Sequence, residues 1–257
     1  MRERITITIS KFLLNALDSK IDGINLRSRS QAIEYFLSKV LEAESKTNCC
    51  LIILPQIKLK NKSFEFFKVP KLKKTILELY LENLQRSFPK LGEIFILAKR
   101  RSKKLENIAK KFNAKILTKN ENELKKILTK NESLTICFAN KFCRLSFEKL
   151  VAFQKTNKEN ASIVIAVMPK QKGISKLILD GNKIVSIEKK PKEKFYAAPL
   201  GIYAVNTKNL KLKDLCSEEN KFLEKLVKNN SCLGFFYNGD YAIVNKLKDI
   251  SSLKNFI

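Results

Sequence analysis

Residues 4–9 alternate polar and apolar, with Ile5, Ile7 and Ile9 on one face and Arg4, Thr6 and Thr8 on the other. That period of two in β-branched residues predicts a half-buried strand. Ser10 stands where a helix N-cap belongs, and Leu13, Leu14, Leu17 and Ile21 follow at helical spacing. Asp22-Gly23 should break this helix. Ser28-Arg29-Ser30-Gln31 reads as a capping box, opening a second helix to about Glu44 with Ala32, Ile33, Phe36, Leu37, Val40 and Leu41 as its apolar stripe. One strand and two short helices cannot close a core alone. Pairing two copies would form an antiparallel ribbon covered by four helices, with Arg4, Thr6 and Thr8 of each chain facing outward. Such a ribbon fits the major groove of B-form DNA.

Beyond a polar junction at residues 45–49 the pattern changes. The apolar run Cys50–Leu54 reads as a buried strand, and Ile94–Ala98, Ala114–Leu117, Leu134–Phe138 and Ser162–Val167 read as further strands. Amphipathic stretches at Lys74–Ser87, Ser102–Lys111 and Ser146–Thr156 read as helices between them. Strands alternating with helices predict an α/β fold with a mostly parallel sheet. Two more strands, Ser175–Leu179 and Lys183–Ile187, flank the hairpin signal Asp180-Gly181-Asn182. The expected domains are therefore residues 1–45 and 50–257.

Composition narrows the chemistry. The 257 residues include no His, which removes histidine-based nucleophilic, acid–base and metal-ligand chemistry. The net charge is +26, from 51 basic and 25 acidic residues, yet residues 1–45 are nearly balanced. Lysine dominates the excess, so bulk charge does not locate a nucleic-acid site. Arginine is more selective: Arg2, Arg4, Arg27 and Arg29, half of the eight arginines, fall within the first 29 residues. The six cysteines contain no C-x-x-C pair, which suits free buried thiols and a cytoplasmic location. No apolar run is long enough for a membrane span.

Residues 2–44 resemble the ribbon-helix-helix family of DNA-binding proteins, of the CopG/Arc/MetJ kind. The likeness rests on R-I-T-I-T-I, the capped first helix, the glycine turn and S-R-S-Q-A-I. It implies a homodimer on double-stranded DNA, with further association of dimers on DNA left open. Arg4, Thr6 and Thr8 would read bases, and Ser28, Arg29 and Ser30 would clamp a phosphate at the second helix's N-terminus.

Residues 50–255 resemble the sugar-phosphate nucleotidyltransferases, which have a Rossmann-like α/β fold and use Mg²⁺. The matching segments are Ile76–Leu84, Asp180–Val185 with Ile187-Glu188-Lys189-Lys190-Pro191, Gly201-Ile202-Tyr203, and Tyr237–Leu253. The resemblance implies sugar-facing roles for Glu188, Lys189 and Gly201. The departures fall on the chemistry. Where the family carries a Gly-rich phosphate loop, this chain has Pro55-Gln56-Ile57-Lys58-Leu59-Lys60, with no glycine between Gly23 and Gly92. The family's two metal aspartates fall on Asn140 and Ile243, with Asp240 nearby. An amide plus an isoleucine is a poor Mg²⁺ site.

Together these features predict a DNA-binding transcriptional regulator. Its degenerate nucleotidyltransferase-like domain would carry no catalytic residues and no cofactor, and would sense a nucleotide or nucleotide-sugar. The alternative is an atypical Mg²⁺-dependent sugar-phosphate nucleotidyltransferase with an N-terminal DNA-binding or dimerisation module.

Overall fold

The β-branched and apolar runs that bury on both faces set the centre of the fold, and the amphipathic stretches cover them. The computed structural model describes residues 6–22, 26–44, 49–70, 72–88, 91–118, 121–157, 159–215, 218–229 and 231–256. The chain divides into two units, Met1–Lys46 and Thr47–Ile257.

The first unit holds α1 (Lys11–Asp18) and α2 (Arg29–Glu44). Ser10 caps α1, its Oγ accepting from the Leu13 amide at 3.3 Å. The helix stops at Asp18, before the Asp22-Gly23 break that its spacing suggests. The Ser19 hydroxyl there donates to the Ala16 carbonyl at 2.8 Å, and the Ser19 amide turns back on Asn15 and Leu17. Ser28 caps α2 by accepting from the Gln31 amide at 3.2 Å. Gln31 reaches to the Arg27 amide instead of the cap residue's own, so the expected reciprocal box is displaced by one residue.

The expected N-terminal strand is corrected over Thr6–Ile9, which form no strand. A lone strand has no ladder to join, so alternation by itself leaves these residues irregular. Arg4 and Ile5 lie outside the described residues.

The second unit runs β1 (Cys49–Ile53), β2 (Lys58–Leu59), β3 (Lys62–Ser63), α3 (Ile76–Ser87), β4 (Ile94–Leu97), α4 (Lys103–Lys111), β5 (Ala114–Leu117), α5 (Glu121–Lys130), β6 (Ser133–Phe138), β7 (Lys141–Cys143), α6 (Phe147–Asn157), β8 (Ala161–Pro169), β9 (Lys176–Asp180), β10 (Lys183–Glu188), β11 (Phe195–Asn206), α7 (Leu212–Leu215), α8 (Glu219–Asn229), β12 (Cys232–Phe236) and β13 (Tyr241–Ile243), closing in a 3₁₀ segment, Leu247–Phe256. Nine strands form one sheet in the order β5-β4-β1-β6-β11-β8-β12-β10-β9. The pairs β5–β4, β4–β1, β1–β6 and β8–β12 are parallel, while β11 runs antiparallel to both its neighbours. This is the expected α/β architecture, a Rossmann-like sheet with one reversed central strand.

The sheet is covered on both faces. From β1, Cys50 and Ile52 join a core with Ile76, Leu77 and Leu105. Cys49, Leu51 and Ile53 join the opposite core with Leu124, Ile127 and Phe222. Burial on both faces explains why these strands read as continuous apolar runs. A short ribbon, β7 with β13, brings Asn140 and Lys141 alongside Ile243 and Val244.

Candidate functional site

In an open α/β sheet, ligands bind beyond the carboxyl ends of the strands, where the strand order reverses. Here the chain leaves β1 toward β4 and β5 on one side, then returns to place β6 on the other. A crevice of about 240 Å³ opens at that point. Its walls are Ile53–Gln56 after β1, Leu97–Lys99 after β4, Phe138 and Asn140 after β6, and Leu215, Glu218 and Glu219 around the start of α8. The lining is apolar at its base, with Gln56, Lys99, Asn140, Glu218 and Glu219 as polar groups.

One wall rests on a buried ion pair. Lys141 follows β6 into β7 and is almost completely buried, its Nζ donating to Glu219 Oε1 at 2.7 Å and to the Pro199 carbonyl at 2.9 Å. Tyr203 of β11 donates its hydroxyl to the same Glu219 oxygen at 2.7 Å. Burial raises the Tyr203 phenol well above its ordinary value, and the Glu219 charge adds to that, so the hydroxyl stays a donor. Gly201 makes room for the pair. It adopts φ +73°, and a Cβ there would approach Lys141 Cδ to 2.9 Å. A buried charge needs such a partner, because an unpaired one costs several kcal/mol, roughly 3–5.

The residues singled out for metal sit differently. Asn140 donates its amide to Asn245 Oδ1 at 2.9 Å, and its carbonyl accepts from the Val244 amide at 2.8 Å. Ile243 is buried in the apolar core. The exposed Asp240 accepts through its backbone carbonyl from the Tyr237 hydroxyl. The carboxylates that do face the crevice are Glu218 and Glu219, and Lys141 already neutralises the second. Among the described residues no group of three His, Cys, Asp or Glu gathers to hold a metal. The donor set therefore does not fit a protein-held Mg²⁺ ion.

Of the residues expected to face a sugar, Gly201 lies under the crevice wall as the packing partner of Lys141. Glu188 and Lys189 do not line the crevice. Glu188 pairs with Lys176 at 3.2 Å and Lys189 with Glu224 at 3.0 Å, at the end of β10, three strands from β11. Lys58 stands in β2 and Lys60 in the exposed β2–β3 turn, where Lys60 and Asn61 take positive φ.

In the first unit, Thr6, Thr8, Ser28, Arg29 and Ser30 are exposed. Arg29 is engaged within the unit. Its Nε and a terminal guanidinium nitrogen each donate to Asp18 at 2.7 Å, and the Arg29 hydrogen bond lowers the Asp18 pKa. Arg4 lies outside the described residues.

No protein-family model matches the chain, and no curated protein matches it in sequence. Solved structures do match in fold. HddC from Yersinia pseudotuberculosis superposes with a TM-score of 0.61 at 14% identity, covering 81% of this chain and 99% of its own. The same protein complexed with GMP-PN gives 0.60. A CMP:2-keto-3-deoxy-manno-octonic acid synthetase complexed with CTP gives 0.58 at 10% identity, covering 81% of this chain and 98% of its own. A putative glucose-1-phosphate thymidylyltransferase from Bacillus anthracis gives 0.58 at 14% identity, with 80% and 92% covered.

These neighbours, which cover 80–81% of the chain, correct the reading of it as a DNA-binding transcriptional regulator. Two of them are named as a CMP:2-keto-3-deoxy-manno-octonic acid synthetase and a putative thymidylyltransferase, on the side of the alternative reading. Among the described residues no helix is long and apolar enough to cross a membrane. The chain shares its α/β fold with these solved structures.

Proposed function

We propose that Thr47–Ile257 is an atypical nucleotidyltransferase-type unit whose crevice takes a nucleotide or nucleotide-sugar. Its reaction class is transfer of a nucleotidyl group from a nucleoside triphosphate to a sugar phosphate. In that reaction a sugar-phosphate oxygen attacks the α-phosphorus and pyrophosphate leaves. The observation that carries the reading is the crevice itself, at the strand-order reversal of a fold whose solved neighbours include complexes with CTP and GMP-PN. Its apolar base suits a nucleoside, and Lys99 supplies a cation to attract phosphate.

The test is equilibrium binding of the four ribonucleoside triphosphates and a set of nucleotide-sugars, with pyrophosphate release measured over a panel of sugar phosphates. Saturable binding with pyrophosphate release supports the proposal. Binding without release removes the reaction and keeps the ligand. No binding at millimolar concentration overturns both.

A second observation concerns the small unit. In Met1–Lys46, Phe12, Leu13 and Leu37 are at least half exposed, and Ala32 is the buried apolar residue among those described. Helices whose described apolar side chains are so little covered gain little from packing on one another. We infer that this unit associates with a second copy of the chain, as a homodimer. Light scattering on the full chain tests it: a dimer that Phe12→Glu with Leu37→Glu converts to monomer supports the inference, and a wild-type monomer refutes it.

A further inference from the structure

We infer that Glu219 is a specificity-determining residue of the crevice, accepting hydrogen bonds from a vicinal diol of the ligand through its Oε2 atom. The inference rests on the proposed nucleotide-binding reading and adds to it a recognition group and an orientation.

The geometry separates the two oxygens of one carboxylate. Oε1 accepts from both Lys141 Nζ and the Tyr203 hydroxyl, each at 2.7 Å. Those two donors come from the β7–β13 ribbon and from β11 of the main sheet, so the carboxylate is held by two elements. Oε2 has no partner among the described residues, and Glu219 lines the crevice. A carboxylate is an acceptor with no donor of its own, and a pair of neighbouring hydroxyls matches it. Lys141 cancels the net charge without occupying Oε2, which lowers the cost of covering this oxygen with a ligand.

Charge placement gives the direction. Lys99 follows β4, whereas Glu219 is held against Tyr203 on β11. From β4 to β11 there are three strand steps, about 14 Å at roughly 4.8 Å each. That span suits a ligand with phosphate at one end and a polyol at the other. Glu218 stands beside Glu219 on the crevice wall and repels phosphate from that end. Lys141 and Tyr203 act as positioning residues, since they touch Glu219 and are not among the residues that line the crevice.

The diol has two sources, the ribose of the nucleotide or the sugar of a nucleotide-sugar. Binding of GTP, 2′,3′-dideoxy-GTP and GDP-mannose to the full chain distinguishes them, in wild type, Glu219→Gln and Tyr203→Phe. Loss of a charged acceptor is expected to weaken the diol-bearing probe by about tenfold or more. If ribose is the diol, Glu219→Gln loses affinity for GTP and not for the dideoxy analogue. If the sugar is the diol, it loses affinity for GDP-mannose and not for GTP. Tyr203→Phe removes one of the two donors on Oε1 and leaves Lys141 in place, and should reduce the same affinity ratio by less. That ratio is a readout that simple destabilisation does not move. A Glu219→Gln variant that binds all three probes as wild type does overturns the inference and leaves the nucleotide reading standing. Absence of binding by the wild type overturns that reading instead.

Discussion

Replacing Gly201 by alanine should be far more damaging than the same change at Gly181, and the difference measures how tightly Lys141 is held. Both glycines have positive φ, +73° and +58°. An alanine in that region costs about 1–2 kcal/mol. At Gly181 nothing lies within 4 Å of the new Cβ, so that cost stands alone. At Gly201 the new methyl meets Lys141 Cδ at 2.9 Å and Lys141 Cβ at 3.2 Å. Lys141 cannot swing aside cheaply, because its Nζ is fixed to Glu219 and Pro199 in a buried site. Overpacking adds about 1–3 kcal/mol, so Gly201→Ala should cost about 2–5 kcal/mol in total. For a unit of roughly 150–250 residues, each kcal/mol lowers Tm by about 2–4 °C. The expected drop is therefore about 4–20 °C for Gly201→Ala and about 2–8 °C for Gly181→Ala. Circular-dichroism melts and urea titrations read both. In a Lys141→Ala background the penalty of Gly201→Ala should shrink, since the Cδ overlap is gone. Equal losses at the two glycines, or an undiminished penalty without Lys141, would refute the reasoning.

Other outcomes follow from local chemistry. Thr75 caps α3 reciprocally, its Oγ1 accepting from the Glu78 amide while its own amide donates to Glu78 Oε2 at 2.8 Å. Thr75→Ala should cost about 0.5–2 kcal/mol in urea titration and Thr75→Ser much less; equal losses would sink the cap. Burial pushes the Cys49 and Cys232 thiols up to about 12, and the Cys137 contact and burial push Cys50 well above the usual thiol range. At pH 8 iodoacetamide should leave peptides bearing these three unlabelled until guanidinium is added, and fast labelling of the native chain would contradict their burial. Hydrogen bonds from Lys115 and then Lys130 lower the Glu93 pKa. The stability they add is present above the unfolded value of about 4.3 and is lost as pH falls through the folded value. Glu93→Gln should thus be destabilising at pH 7, by no more than about 1 kcal/mol at so exposed a site, and neutral near pH 2. A gap that stays constant across that range would contradict the ion pairs.

The sheet was legible where burial is two-sided. β1, β4, β6 and β8 announce themselves as apolar-rich runs, the edge strand β5 is shorter and interrupted by the exposed Lys115, and Asp180-Gly181-Asn182 marks the β9–β10 hairpin. α5 was missed because Glu121–Lys130 is dominated by Glu, Asn and Lys, with Leu124 and Ile127 its buried anchors. β11 was read only at Gly201-Ile202-Tyr203. Pro199 and Gly201 argue against a strand interior, and here they coincide with a register shift against β8. The ribbon of β7 and β13 joins three-residue segments far apart in sequence, which no local pattern reveals.

The site was legible mainly through what it lacks. Asn140 and Ile243 stand out in the sequence as departures, and the structure sets Asn140 against Asn245 and Val244 and buries Ile243 in the core. Lys141, Glu219 and Lys99 were missed. One signal was available: a lysine inside the apolar stretch Cys137–Cys143 implies a buried, paired charge. Its partner Glu219 is 78 residues away, which only the tertiary fold connects. At the N-terminus the strict alternation of Ile5, Ile7 and Ile9 suggested a strand that the described residues do not form within one chain.

Hydrogen exchange with and without a saturating ribonucleoside triphosphate tests the central claim most directly. The account predicts slowed exchange at residues 54–56, 98–99 and 139–141, the backbone that walls the crevice, with no protection at residues 29–44. Protection confined to the first unit, or none at the crevice, would contradict it.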